Sequence, residues 1–264
     1  MDRSIADERT ACAQRLAEAT VLVVGVGALG CPAALHLAAA GIGRLIVVDP
    51  DRVELSNLHR QILHRTSTIG THKVQSAAAR LRERFATLRI DTHAEALTEA
   101  NLVELFGDAD FVVDATDGID AKFLINDGAV RCRRAFSHAG VLGLLGQTMT
   151  VLPGRSACYR CLFPEPPAPD DVPSCQAAGV VGGIAGLIGS LQAAEAIKYV
   201  SHRGPLLTDS LLTYDGVSGR WRVVRLARNP RCPVCAQAAT AVDDGAAAPV
   251  VAVLDGSDPP RYGS

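Results

Sequence analysis

The sequence predicts an α/β protein: a Rossmann-like doubly wound sheet, parallel in its first half and extended by antiparallel strands, with a structural zinc site. Three observations carry that prediction. A β-branched run, VLVVGVG (21–27), feeds directly into a small-residue helix and then a second apolar run, RLIVVD (44–49). After residue 140 the alternation of runs and helices gives way to hairpin-like pairs. Four cysteines form two C-x-x-C pairs.

The first run reads as a buried strand. ALGCPAALHLAAAG after it reads as a helix closing on Gly41 as C-cap, so the opening is a βαβ unit. THKVQSAAARLRERF (71–85) carries small and basic residues at helical spacing, RIDTHAEA holds a short strand, TEANLVELF a helix, and FVVDATD (111–117) a fourth parallel strand. Such alternation places helices on both faces of one sheet. GQTMTVLPG and SLLTYDGVSGRWRVVRLA (210–227) read as antiparallel strands, the latter two joined by a Gly-Val-Ser-Gly turn. LFPEPPAPDDVPS (162–174), with five prolines and three acids, reads as an exposed loop. AGVVGGIAGLIGSL (178–191) is too short and too rich in glycine for a membrane span, and reads as a buried helix with Gly182, Gly186 and Gly189 at its close contacts. The expected organisation is one unit over 1–235, with a nucleotide-binding half (1–140) and a second half (141–235), then a disordered tail over 236–264.

Composition excludes several classes. Of 264 residues, 48% are hydrophobic, which excludes a mainly disordered chain. With 26 basic and 28 acidic side chains the net charge is −2, so no nucleic-acid footprint is expected. The charged start MDRSIADERT does not read as a secretory signal, so the expected location is cytoplasmic.

Gly25, Gly27 and Gly30 form G-x-G-x-x-G after a strand and before a helix, with Asp49 ending the next strand. Glycines there let backbone amides approach a phosphate, the helix N-terminus adds its dipole, and the acid accepts from ribose hydroxyls. The pattern reads as a nucleotide site without naming the nucleotide. SNLHRQ (56–61) and Lys73 add an Asn, Arg and Lys group suited to a triphosphate: Arg60 can bind two phosphate oxygens and Lys73 supplies a compact charge. Asp117, at the carboxyl end of an apolar strand, is the better magnesium candidate, whereas Asp114 is equally a ligand there or a strand-end acid or N-cap with no direct role. Cys158, Cys161, Cys232 and Cys235 have the number and spacing for a closed tetrahedral zinc. Cys175, ahead of a helix N-terminus, is a possible reactive thiol. Cys12, Cys31 and Cys132 read as inert core residues, His59 as a loop contact, and His138 as a satisfied histidine without a nameable partner.

GVGALG, VVDPDRVELSNLHRQ, THKVQSA, DATDG, CYRCLFP, SCQAAGV, IGSLQAAEAIKY and NPRCPVC together resemble, in order and spacing over about residues 20–237, the ThiF/MoeB/HesA family of bacterial relatives of ubiquitin-activating enzymes. The resemblance implies ATP- and Mg²⁺-dependent adenylation of the C-terminal Gly-Gly carboxylate of a ubiquitin-fold sulfur carrier, giving an acyl-adenylate and pyrophosphate. It assigns Ala28 to a phosphate-facing backbone contact, Asp49 to the ribose, Ser56, Asn57, Leu58, His59, Arg60 and Lys73 to the phosphates, and Asp117 with Gly118 to magnesium and nucleotide. It also implies zinc on the paired cysteines, a thiol-carrier role for Cys175 in some members, a homodimer and a separate sulfur donor. The chain departs from the family pattern at Ala28, where glycine is usual, and at Gly118, where Asn is usual. Its shortened N-terminal segment offers Arg3 or Arg9 as the arginine that the family passes to the neighbouring subunit. The alternatives are adenylation of a peptide C-terminus, a non-catalytic nucleotide-binding scaffold, and a Rossmann oxidoreductase.

Overall fold

The computed structural model describes residues 3–167 and 179–236, and its centre is one eight-stranded sheet in the order β3-β2-β1-β4-β5-β6-β7-β8. The strands are β1 (Thr20–Val24), β2 (Arg44–Val48), β3 (Arg89–His93), β4 (Phe111–Asp114), β5 (Ala135–Leu142), β6 (Leu145–Val151), β7 (Ser210–Asp215) and β8 (Arg220–Arg225). The first five pair in parallel and the last three antiparallel. Strands of the central pair, TVLVV and FVVD, are buried along their whole length, which is why they read as continuous apolar runs instead of alternating ones.

Helices α1 (Arg3–Glu18), α2 (Gly30–Ala40), α3 (Lys73–Arg84), α4 (Glu99–Gly107), α5 (Ile119–Cys132), the single turn α6 (Tyr159–Leu162) and α7 (Gly182–Ser201) cover the two faces. One core layer joins Val21, Leu37, Val47, Leu81, Phe111 and Ile188 under α2, α3 and α7; the other joins Leu22, Ile46, Phe106, Ile125 and Phe136 under α4 and α5. Period-two alternation thus sends Val21 and Leu22 to opposite layers. Gly41 ends α2 with φ 92°, the left-handed conformation that glycine adopts without strain.

Three expectations change. β5 is a fifth parallel strand that the apolar pattern does not announce, because Ser137, His138 and Gly140 interrupt it. In the glycine-rich helix α7, Gly189 does permit a close contact, since a Cβ there would lie 2.3 Å from Leu29 O, and Gly182 would meet His59 O at 3.0 Å. Gly186 does not: nothing lies within 4 Å of its would-be Cβ, so its place on α7 carries no packing demand. Cys31 is a fully buried core residue, while Cys12 and Cys132 are only half-buried. Among the described residues no helix is long and apolar enough to cross a membrane. Most of the proline-rich loop, Cys175 and the tail from 237 onward lie outside the described residues.

Candidate functional site

The strand order reverses direction of winding between β1 and β4, and ligands of open α/β sheets settle in the crevice at such a switch. A cleft of about 2170 Å³ opens there, running from the glycine loop across the carboxyl ends of the parallel strands and out over β6–β8. Gly25, at φ 91°, turns the chain out of β1; a Cβ there would strike Ala115 O at 2.7 Å. Gly30 is tighter still, its would-be Cβ 1.9 Å from Gly25 O. Gly27 answers to a different need, since the nearest atom to its would-be Cβ is 3.7 Å away and the open side belongs to the cleft.

Asp49 ties this loop to the second strand. Its two carboxylate oxygens accept from Val26 N at 2.7 Å and from Asp51 N at 2.9 Å. Burial raises its pKa, and the nearby Lys73 and these two amides work against that rise. Each oxygen keeps a further lone pair for a hydroxyl donor in the cleft.

Arg60 is held by its own turn. Its Nη2 donates to Asn57 Oδ1 at 2.8 Å and its Nη1 to Ser56 O at 3.1 Å, with His59 Nε2 3.3 Å away. Among the described residues no carboxylate lies within ion-pair distance of it, and its partners, Ser56 O, Asn57 Oδ1 and His59 Nε2, are neutral acceptors or ring atoms. Leu58 is half-buried in the same turn, where its amide bonds to Leu55 O. Lys73 differs, because its Nζ sits 2.7 Å from Asp51 Oδ2, the lysine buried and the aspartate exposed. Asp51 is a partner that the sequence reading passed over. Ala28, Ser56, Asp117 and Gly118 all line the cleft, and the Asp117 side chain there is exposed. A cationic wall and an acidic lip therefore face one space, which suits a polyphosphate with a divalent cation.

Beneath the cleft lies a polar cluster that sequence spacing does not reveal. Asp114 is fully buried and accepts from His138 Nδ1 at 2.9 Å, from Thr116 N and Oγ1 at 3.1 and 2.7 Å, and from Lys122 Nζ at 3.3 Å. Lys122 Nζ also donates to Thr116 O at 2.7 Å and Ala139 O at 2.6 Å. Gln192 of α7 clamps the same strand ends from the other face, donating to Asp114 O at 2.7 Å and Ser137 O at 3.0 Å. Burial alone would push the Asp114 carboxyl up, but the Lys122 and His138 partners outweigh it and hold it down at about 2. Burial lowers the His138 pKa, against the pull of Asp114. Asp114 is therefore an internal counter-charge; the N-cap of α5 is Gly118. His138 has a partner after all, and only its Nε2 lacks one among the described residues. The visible signal was a single lysine inside the apolar run AKFLIN.

The four paired cysteines converge. Sγ separations are 3.6 Å for Cys158 to Cys232, 3.4 Å for Cys161 to Cys235 and 3.9 Å for Cys158 to Cys161, and all four atoms lie within 4.8 Å of one another. A tetrahedral Zn²⁺ with Zn–S bonds of about 2.3 Å needs sulfurs about 3.8 Å apart, so the set fits that ion. Burial, then repulsion from the neighbouring sulfurs, pushes the Cys158 thiol up, a disfavour to ionisation that a dication would reverse. The turn bearing the first pair is locked to α5: Tyr159 N donates to Asn126 Oδ1 at 2.8 Å, and Arg160 forks onto Asp127 at 2.7 and 2.7 Å. Tyr159 also reaches the cleft, its ring 4.5 Å from that of His138.

Compared with known proteins, residues 1–234 match the ThiF family. The chain is 42% identical to the sulfur carrier protein adenylyltransferase of Thermus thermophilus, covering 84% of each chain. It is 46% identical to the adenylyltransferase and sulfurtransferase MOCS3 of Anopheles gambiae, over 86% of this chain and 52% of that protein, so it spans about half the length of that relative. The crystal structure of E. coli MccB with ATP superposes with a TM-score of 0.76 at 22% identity, covering 86% of this chain and 69% of the other, a likeness of fold.

Proposed function

Since this chain belongs to the ThiF family, we propose that it is an ATP-dependent adenylyltransferase acting on the C-terminal glycine carboxylate of a small ubiquitin-fold sulfur carrier. The observation that carries the reading is the 42% identity, over 84% of both chains, to an enzyme named for that activity. The cleft supports it by gathering Gly27, Asp49, Arg60, Lys73 and Asp117 around one space.

In this reading residues 1–235 work as one unit, 1–140 holding the nucleotide and 141–235 the carrier and the zinc. Two copies form the dimer that the family resemblance implies, and a separate protein donates sulfur. The Gly27 and Ala28 amides and the start of α2 face the phosphates, Asp49 receives the ribose hydroxyls, and Asp117 with Gly118 borders the Mg²⁺. Mg²⁺ supplies charge neutralisation on the phosphates. Arg60 and Lys73 lower the charge on the phosphoryl oxygens, and their fixed positions hold the α-phosphorus in line with the incoming oxygen. A carrier carboxylate is already a nucleophile, so no general base is required. Its oxygen bonds to the α-phosphorus as the bond to the β-phosphate oxygen breaks, and pyrophosphate leaves with the electron pair. Cys158, Cys161, Cys232 and Cys235 would hold zinc, which with four thiolate ligands would serve structure, tying the chain end to the turn locked on α5.

The test is exchange of labelled pyrophosphate into ATP in the presence of a Gly-Gly-ended carrier. Exchange that depends on the carrier, and that falls about 10²- to 10³-fold in Arg60→Ala, is expected. Absence of exchange with every ubiquitin-fold carrier of the source genome overturns the reading.

A further inference from the structure

The cleft is much longer than a nucleotide site requires. Its outer part is floored by the open face of β5–β8, where strand register sets two parallel rows of side chains. One row runs Gly140, Gln147, Thr213, Arg222, and the next Leu142, Leu145, Asp215, Arg220. Each row thus starts neutral beside the nucleotide end and finishes on an arginine at the sheet edge. Asp215 is the one acid in the two rows, and its carboxylate is occupied by Val217 N, Ser218 N and Ser218 Oγ in the turn. Arg220 stands opposite Asp215 and feels its charge, whereas no hydrogen bond or ion pair engages the Arg222 side chain among the described residues; both arginines are exposed.

We propose that Arg222, seconded by Arg220, reads an acidic side chain in the carrier's C-terminal segment, a specificity contact that rests on the function proposed above. Spacing fixes which residue it reads. Four strand-to-strand steps separate β4, whose carboxyl end leads to Asp117 of the site proposed above, from β8, about 19 Å at about 4.8 Å per step, and an extended peptide advances about 3.3 Å per residue. The long arginine side chain shortens that path, so the contacted residue is about the fourth to sixth from the C-terminus. The Gln147 side chain lies against Gly140, its Nε2 3.4 Å from where a Cβ would stand, and can donate to an extended backbone there, while the Thr213 hydroxyl, which donates to Arg222 O, can accept from it.

Two fluorescein-labelled octapeptides ending in Gly-Gly, one with Glu and one with Lys at the fourth to sixth positions from the C-terminus, are titrated against the protein by anisotropy at low ionic strength. We expect the Glu peptide to bind about fivefold more tightly per engaged arginine, the upper range for an exposed ion pair. Arg222→Glu should reverse the preference, Arg155→Glu, an equal charge change elsewhere on the surface, should keep it, and about 1 M salt should erase it. Equal binding of the two peptides, no binding of either, or equal effects of Arg222→Glu and Arg155→Glu would overturn the inference while carrier-dependent exchange still stood. Loss of exchange itself would instead strike the function on which the inference rests.

Discussion

Lys122 Nζ lies 3.3 Å from Asp114 Oδ2 with both side chains withdrawn from water, the one 9% and the other 0% exposed. A buried pair of this kind adds little over an apolar substitute, yet removing one partner strands the other charge, at a cost of about 3–5 kcal/mol. Asp114→Ala should therefore lower the unfolding free energy by about that much in urea titrations, because it also leaves His138 Nδ1 without its acceptor. A loss under about 1 kcal/mol would mean that water reaches Lys122 and that the cluster is not sealed.

Glycines of the phosphate loop should separate by what each position needs. Gly30→Ala places a methyl carbon 1.9 Å from Gly25 O, a backbone atom that cannot step aside without moving β1 against α2. That variant should fail to accumulate as folded protein. Gly27→Ala meets nothing closer than 3.7 Å, so its melting temperature should stay within a few degrees of the parent while nucleotide affinity falls. Calorimetry of ATP binding beside thermal melts checks both; unchanged affinity in Gly27→Ala would mean that the phosphates do not approach that Cα.

What was legible in the sequence was what is local. VLVVGVG, the G-x-G-x-x-G spacing and the C-x-x-C pairs each announce themselves within one stretch, because the backbone there must satisfy one geometric demand. What was not legible depends on chain segments meeting in space. β5 went unread because Ser137 and His138, which break its apolar pattern, turn their side chains to Thr148 and Asp114 on the neighbouring strands. Lys122 has no sequence neighbour that explains it, and its role emerges only where α5 lays it over the end of β4. Gly186 misled in the opposite direction: a run of glycines suggests close packing along a whole helix, yet only the positions facing Leu29 and His59 need it. The row Gly140, Gln147, Thr213, Arg222 is of the same non-local kind, assembled from four strands with one residue from each.

Two buried histidines give the fold a defined acid limit. Burial lowers the pKa of both His64 and His138 below the unperturbed value of 6.5. Below pH 6.5 the unfolded chain takes up protons that the folded chain refuses, so unfolding becomes easier as pH falls from 6.5 toward the lowered folded values. Asp114 acts in a separate window: its depressed pKa contributes stability that is complete above its unfolded value of 3.8 and is lost as pH falls toward about 2. Melting temperatures should hold steady from pH 8 to 7 and decline between 6.5 and 5. His64→Gln with His138→Gln should flatten that decline, even if the parent melting temperature drops. An unchanged slope in the double variant would assign the acid sensitivity to other groups.

Removal of zinc should loosen the cleft as well as the chain end, because the metal turn and the site share Tyr159. Cys158 and Cys161 flank that residue, its amide is held by Asn126, and its ring packs 4.5 Å from His138 and 5.1 Å from Phe123. Purified protein should carry one zinc by elemental analysis, and Cys232→Ser should carry less. Stripping with a strong chelator should make four more thiols reactive to a thiol reagent and lower the melting temperature, since a closed thiolate site contributes its binding free energy to the folded state. The coupling is tested on the nucleotide: chelated protein should bind ATP more weakly, and Tyr159→Ala in the zinc-loaded protein should reproduce part of that loss while Tyr159→Phe does not. ATP binding that survives both treatments would confine the metal to the chain end, with Arg160 and Asp127 acting only as a clasp.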